Sequence, residues 1–204
     1  MRNLFILVVC LIGTFSMAQT EQEIAPPYNI KTATFIQNNI MSQDWHFKEA
    51  ATLAFSAILD GPKTSQMNDL VNQAIPSLLD HVSDPNPLVK DTTIFTLGRI
   101  AKFQPVKLID NHLQPVLEHL VVSLKDSESR VASKACWAIH NIASALDSDQ
   151  NQNSMSNALS QFFPSLCSVL LECSLRPDIS ENNLRVNVYE AIGSLISSAA
   201  PDQF

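Results

Sequence analysis

Histidine and cysteine are the side chains of this sequence that could bind a metal ion or act as nucleophiles. The chain has five histidines and four cysteines. Metal sites place such residues at short, regular spacings, and the sequence contains neither a Cys-x-x-Cys pair nor a His-containing ligand motif. It also lacks a Gly-x-Ser-x-Gly elbow and a glycine-rich phosphate loop. The sequence therefore predicts a protein that is not an enzyme and that needs no metal and no cofactor.

The four cysteines leave two interpretations open. Cys136 lies in a helical pattern of small and apolar residues, which favours a buried free thiol. The spacing of Cys167 and Cys173 is compatible with a disulfide, which is the less favoured reading.

The charge of the chain indicates which partners it could take. The formal net charge is −7 and the isoelectric point is about 5.1. An acidic chain repels the phosphate backbone, so direct nucleic-acid binding is not expected. An acidic surface suits basic protein partners by electrostatic complementarity, although solubility alone also accounts for it.

The first 25 residues have two possible readings. Arg2 precedes an apolar run, and Ser16 and Ala18 form a small-x-small site before Gln19, as in a signal peptide. The run is too short for a confident membrane span. The other reading, a partial helix of a preceding repeat, is favoured because the chain has no glycosylation sequon and because removing residues 1–18 leaves an odd number of cysteines. A secreted or membrane-tethered helical protein with a mature Gln19 stays open as an alternative.

The rest of the chain repeats one pattern: an apolar helix, a short polar turn and a second, amphipathic helix. The pattern predicts first helices over 29–41, 70–83, 113–124 and 159–173. We expect Pro76, Pro115 and Pro164 in or near the first turns of these helices, where a missing amide has no helical partner. The polar turns between paired helices are 42–45, 84–87, 126–129 and 176–183.

The second helices align at one starting position. That position is occupied by Lys48, Lys90, Ala132 and Arg185, at intervals of 42, 42 and 53 residues. Apolar residues follow seven and ten positions later, and Gly98 and Gly193 are expected where neighbouring helices approach closely. A period near 40 with two helices is typical of HEAT and armadillo repeats.

These intervals predict the fold class and the domain organisation. We expect an all-α, right-handed HEAT-repeat solenoid of about four helical hairpins, because such hairpins bury their apolar faces jointly. The predicted segments are a partial helix over 1–25, repeats over 26–62, 68–105, 110–146 and 158–200, an inserted polar loop over 147–157 and a truncated end over 201–204.

Four strings give the chain a resemblance to a known family. They are DWHFKEAATLAFSAILDGP (44–62), LVKDTTIFTLGRIA (88–101), SRVASKACWAIHNIA (129–143) and RPDISENNLRVNVYEAI (176–192). They resemble the middle HEAT repeats of importin-β, a karyopherin. The resemblance implies a nuclear import receptor that binds a basic segment of importin-α or cargo on a concave surface. It also implies Ran-GTP and phenylalanine-glycine nucleoporins as partners, no membrane association, and a location in cytoplasm, nucleus and nuclear pore.

The resemblance also suggests binding residues. Trp137 matches a family tryptophan that stacks on basic side chains, and Phe95 occupies a position where the family usually has tryptophan. Both rings could instead belong to the core, which is the favoured reading for Phe95. Trp45 is expected to pack between helices.

Polar residues on the second helices complete the predicted site. Asp91, Asn141 and Glu190 could face the concave groove and meet basic groups, although a solvated helix face is the commoner explanation for any single one of them. Arg99 and Arg185 are expected in ion pairs between repeats. A HEAT-repeat scaffold or regulatory subunit unrelated to transport is the alternative function.

Overall fold

The computed structural model describes residues 30–61, 65–147 and 157–199, which form eight α-helices and no strand. The helices are α1 Ile30–Asn39, α2 Trp45–Ile58, α3 Ser65–Val82, α4 Pro87–Phe103, α5 Pro105–Leu124, α6 Ser129–Asp147, α7 Phe163–Ser174 and α8 Leu184–Ser197. None of these helices has an apolar stretch long enough to cross a bilayer. The predictions for 1–25, for 201–204 and for most of the 147–157 loop lie outside the described residues.

The helices stack as hairpins in two rows. The even-numbered helices form one row, in which α4 packs between α2 and α6, and α6 between α4 and α8. The odd-numbered helices form the other row, in which α3 contacts α5 and α5 contacts α7. The even-numbered row packs more extensively than the odd-numbered row, and we call it the inner row. The predicted all-α stack of hairpins is confirmed.

The aligned positions of the second helices are core positions, as their spacing predicts. Seven of the eight residues predicted at the two apolar positions are at most 5% exposed, and Ile192 is half-buried. The seven are Phe55, Ile58, Leu97, Ile100, Ile139, Ile142 and Leu195. They recur at helical spacing on one side of each helix, and burial of that side against neighbouring helices supplies most of the driving force for the stack.

The prediction that all three prolines lie in first turns is wrong for two of them. Pro164 does lie in the first turn of α7, but Pro76 and Pro115 lie inside α3 and α5. These outer helices begin earlier than predicted, at Ser65 and Pro105. An interior proline removes one helical hydrogen bond. Burial of upstream side chains offsets that loss; in α3 these are Met67, Leu70, Val71 and Ala74.

Aspartates in the polar turns join consecutive repeats. Asp84 accepts a hydrogen bond from the Asn86 amide at 2.8 Å and forms an ion pair with Lys48 of the preceding repeat at 2.6 Å. Asp126 repeats the arrangement with the Glu128 amide and with Lys90. Each aspartate therefore fixes the turn that precedes its helix and holds the previous repeat in register.

The two arginines expected in ion pairs between repeats make other contacts. Arg99 does cross between repeats, but its Nε donates a hydrogen bond to the Ser56 carbonyl at 2.9 Å, not to a carboxylate. Arg185 donates to the Ser180 hydroxyl at 2.8 Å, within its own repeat, so the prediction is wrong for this residue.

Candidate binding surface on the inner row

Trp137 and Phe95 form a stacked aromatic pair across two repeats. Their ring centroids lie 5.2 Å apart and their planes are inclined by 22°. Phe95 comes from α4 and Trp137 from α6, and both rings are half-buried. The pair therefore contributes to packing between repeats and also presents aromatic surface on the inner row.

Gly98 makes room for this pair. A Cβ atom at Gly98 would lie 2.5 Å from Cζ3 and 2.8 Å from Cε3 of Trp137. The predicted close approach at this glycine is confirmed. At Gly193 the same prediction is wrong, since a Cβ atom there would meet no atom of the described segments within 4 Å.

Positive charges surround Phe95 and its neighbour Phe103. The Arg99 guanidinium carbon lies 5.8 Å from the centroid of Phe95 and 4.7 Å from that of Phe103. Lys134 Nζ lies 5.4 Å from Phe95. The side chain of Phe95 is thus already in contact with Trp137 and two cations, which leaves little of its ring for a basic ligand.

Two of the predicted polar residues are engaged within the protein. Asp91 is 9% exposed and forms an ion pair with Arg130 at 3.3 Å. Burial raises the pKa of the Asp91 carboxyl, against the opposing influence of Arg130 and Lys134. Asn141 is 7% exposed, and its Nδ2 donates to the Trp137 carbonyl at 2.7 Å. Asp91 thus joins α4 to α6, Asn141 bonds within α6, and both side chains offer little surface to a ligand.

Glu190 is different, because it is exposed beside an open cavity of about 360 Å³. The cavity lies between α6 and α8 and is lined by His140, Ser144, Glu190, Gly193, Ser194 and Ser197. His140 Nδ1 and Ser194 Oγ are 2.6 Å apart, which joins the two helices at its base. The absent side chain at Gly193 leaves space for a ligand group. Hydroxyl groups and one carboxylate suit the head group of a lysine or arginine.

Sequence reasoning predicted Glu190 but missed the other residues that line this cavity. His140 and Ser194 are 54 positions apart in the chain, and the insertion between their repeats breaks the regular 42-residue interval. Gly193 was the residue that could have indicated the cavity, but a glycine in a helix is compatible with either close packing or open space.

The described residues include no group of histidine, cysteine and carboxylate side chains able to hold a metal. The three cysteines among them are free thiols, with Cys136 and Cys173 buried and Cys167 half-buried. A hydrogen bond with Cys173 and burial raise the pKa of the Cys136 thiol.

Trp45 is half-buried at the start of α2 and stacks on the adjacent His46, with ring centroids 3.7 Å apart.

Two family profiles match the chain. One, described as importin subunit beta-1-like TPR repeats, matches residues 115–204. The other, described as a HEAT-like repeat, matches residues 45–100. Together they cover the inner helices except for the last three residues of α4, so the predicted HEAT-repeat class is confirmed.

Curated relatives agree with these profiles. The chain is 34% identical to importin subunit beta-1 of Schizosaccharomyces pombe, over 80% of this chain and 18% of that protein. It is 34% identical to the protein of that name from Arabidopsis thaliana, over 79% of this chain and 19% of the relative. It is 32% identical to importin subunit beta-1 of Saccharomyces cerevisiae, over 81% of this chain and 18% of that protein. The chain thus spans about a fifth of the length of the curated relatives it matches.

Solved structures show the same architecture. A crystal structure of importin beta in an ammonium sulfate condition superposes with a TM-score of 0.76 at 26% identity, over 99% of this chain and 25% of that chain. Kap95p, whose binding induces the switch loops of RanGDP to adopt the GTP-bound conformation, superposes with a TM-score of 0.74 at 25% identity, over 97% of this chain and 24% of that one.

Proposed function

Because this chain belongs to the importin-β family, as its strings of residues indicated, we propose that it serves nuclear import by holding a basic segment of an importin-α adaptor or cargo on its inner row. The exposed carboxylate of Glu190 at the cavity between α6 and α8 is the observation that carries this proposal. Among the five residues suggested by the sequence, it is the one that combines exposure with negative charge. The ligand's lysine or arginine head group enters the cavity and binds Glu190.

The surroundings of Glu190 support this choice. The half-buried Trp137 lies on the same helix as His140 and Ser144, about one turn before the cavity. An indole one turn away can hold the methylene stem or the charge of a neighbouring basic residue. The seryl hydroxyls that line the cavity can accept the remaining hydrogen bonds of an ammonium or guanidinium group.

A fluorescence anisotropy titration tests the proposal. The full chain is titrated against a labelled peptide of the basic importin-α segment at low and moderate salt. We expect saturable binding that weakens with salt, and a loss on the order of tenfold in Glu190→Gln, since a hydrogen bond to a charged group is worth about 1.5 kcal/mol. Glu118→Gln, at an exposed carboxylate of the outer helix α5, is the matched control and should bind normally. A helical, folded chain that shows no saturable binding would refute the proposal.

A second group of partners is proposed for the outer row. Val122 on α5 is 72% exposed, and Leu171 on α7 is 56% exposed. Leu175, just after α7, is 85% exposed. Isolated exposed apolar residues are common, but three on adjacent outer elements give phenylalanine side chains apolar surface to contact. We propose that phenylalanine-glycine nucleoporins bind here, and that Val122→Ser with Leu171→Ser weakens their capture while leaving the basic peptide bound.

Ran-GTP is the proposed releasing partner of the whole receptor, of which this chain provides one part. The corresponding location is the cytoplasm, the nucleus and the nuclear pore. Ran is tested separately from the adaptor, by adding Ran-GTP to the preformed complex of the chain and the basic peptide. A fall in anisotropy would mean that the contacts required for release lie in this part of the receptor, and unchanged anisotropy would assign release to other repeats.

A further inference from the structure

The inner row also carries a positively charged surface that the proposed function does not use. It consists of Lys134, Phe95, Arg99, Phe103 and Lys102, which we call the cation–aromatic strip. Arg99 lies between the two phenylalanine rings, at 5.8 Å from Phe95 and 4.7 Å from Phe103. Lys134 Nζ lies 5.4 Å from the Phe95 ring, and Lys102 Nζ lies 5.5 Å from the Phe103 ring.

None of the three cations of the strip forms a direct ion pair in the described part of the chain. No carboxylate oxygen there lies within 4.0 Å of the charged nitrogens of Arg99, Lys102 or Lys134. Asp91 acts on Lys134 from a longer distance, but its direct ion pair is with Arg130, and Glu49 accepts a hydrogen bond from Thr92. In a chain of net charge −7, three adjacent unpaired cations form a local region of the opposite sign.

Arg99 is held in place, and each of the three cations is at least partly accessible. Arg99 is fixed by its hydrogen bond to the Ser56 carbonyl and by the Phe103 ring, which leaves the rest of its guanidinium fork for an acceptor. Lys102 is exposed, and Lys134 is half-buried. Preorganised cations beside aromatic rings bind carboxylates at a lower entropic cost than mobile lysines do.

We propose that the cation–aromatic strip binds an acidic peptide segment, with carboxylates contacting Arg99 and the two lysines and with an apolar side chain against Phe103. Charge complementarity is the argument for this occupant. A nucleic acid would meet the same cations, but its affinity depends on neutralising many phosphates along its backbone, and the strip offers three cations. The strip lies on α4 and the first half of α6, whereas the Glu190 cavity lies between the second half of α6 and α8.

The test uses the full chain and a labelled peptide in which glutamates alternate with serines. A second peptide carries glutamine in place of every glutamate. We expect saturable binding of the acidic peptide at low salt and none of the glutamine peptide. Lys102→Gln and Lys134→Gln should each weaken binding by roughly two- to fivefold, as expected for a partly exposed ion pair. Lys125→Gln removes the same charge at an outer site beside Glu172 and should have no effect.

Three results would overturn the proposal. They are the absence of saturable binding by a folded chain, an equal loss in Lys125→Gln, and tighter binding of a single-stranded RNA that is lost in the same two variants. The basic peptide is titrated against the same samples. We expect binding of the basic peptide to be weakened in Glu190→Gln and unchanged in Lys102→Gln. The two titrations therefore distinguish failure of the acidic-peptide site from failure of the proposed function.

Discussion

The indole of Trp137 lies directly against the Cα of Gly98 in the neighbouring repeat, where a Cβ atom would be only 2.5 Å from Cζ3. The Cα of Ala138 lies 3.1 Å from the same Cβ position. A side chain at residue 98 would therefore meet both the indole and the backbone of α6. This contact sets the position of the aromatic pair and, through it, the spacing between α4 and α6.

Gly98→Ala should destabilise the protein by about 1–3 kcal/mol, because the added methyl group overpacks a tight interface. The indole would be displaced from Phe95, so the near-ultraviolet circular dichroism of tryptophan should change together with the midpoint of urea unfolding. Gly193→Ala is the matched control. Its Cβ meets nothing, and alanine favours helix over glycine, so we expect a gain of about 0.5–1 kcal/mol. The same sign of change at both sites would contradict the packing described here.

Asp84→Asn should lower stability at neutral pH by about 1–3 kcal/mol, because it weakens a largely buried ion pair with Lys48. Burial acts to raise the pKa of the Asp84 carboxyl, but hydrogen bonds from Lys48 and the Asn86 amide outweigh it, so the pKa lies below its ordinary value. The unfolded chain therefore binds this proton more readily than the folded chain. The stabilisation is present above about pH 4 and is lost as the pH falls through the lowered folded-state pKa.

Urea unfolding checks the pH dependence of the Asp84–Lys48 ion pair. It is measured for Asp84→Asn and for the unaltered chain from neutral to acidic pH. The two free energies of unfolding should converge as the pH falls below about 4. Asp80→Asn, at an exposed carboxylate near the end of α3, should change stability by less than about 0.5 kcal/mol. A constant difference between Asp84→Asn and the unaltered chain at every pH would exclude the ionised pair as the cause.

His81 gives a second pH dependence, in a higher range. It is 4% exposed, and no described residue forms a hydrogen bond with its Nδ1. Burial lowers the pKa of its imidazole, helped by the nearby charge of Lys48 and opposed by Asp84 and Asp80. Because the unfolded chain takes up the proton first, stability should fall as the pH drops below about 6.5. His81→Leu should flatten this slope between about pH 7 and 5 in urea unfolding; an unchanged slope would contradict the assignment.

Two prolines in similar sequence surroundings should respond differently to the same substitution. Pro76→Ala restores an amide in the interior of α3, where the exposed ring contributes little packing, and should stabilise the chain by about 1–3 kcal/mol. Pro164→Ala, in the first turn of α7, restores an amide that has no helical acceptor, so its effect should be within about 1 kcal/mol of zero. Thermal melts of the two variants provide the comparison. Equal shifts would mean that Pro76 does not interrupt the helix as described.

The sequence was most informative about core positions that recur along the chain at a regular spacing. Phe55 and Leu97 could be assigned to the core because helical spacing and a 42-residue interval repeat in the chain itself. The positions of Pro76 and Pro115 could not, since burial of residues upstream decided where those helices begin.

The candidate binding residues on the inner row were only partly predictable, because contacts between repeats decide which of them are exposed. Glu190 was chosen by its charge and its helix, but the exposure of any residue depends on neighbouring repeats. Asp91 and Asn141 carried the same sequence signal, and the fold gave both of them internal partners, Arg130 for the first and the Trp137 carbonyl for the second. The unpaired cations beside Phe95 could not be identified from the sequence, because pairing is a property of three-dimensional neighbours.

The most direct test of the central claim is to locate the bound basic peptide by photo-crosslinking. A photoreactive group is placed beside a lysine of the importin-α segment, and the crosslinked residues of the full chain are identified by mass spectrometry. The account predicts crosslinks on α6 and α8 around Trp137, Glu190 and Ser197, and their loss in Glu190→Gln. Crosslinks confined to the outer row, around Val122 and Leu171, would contradict it.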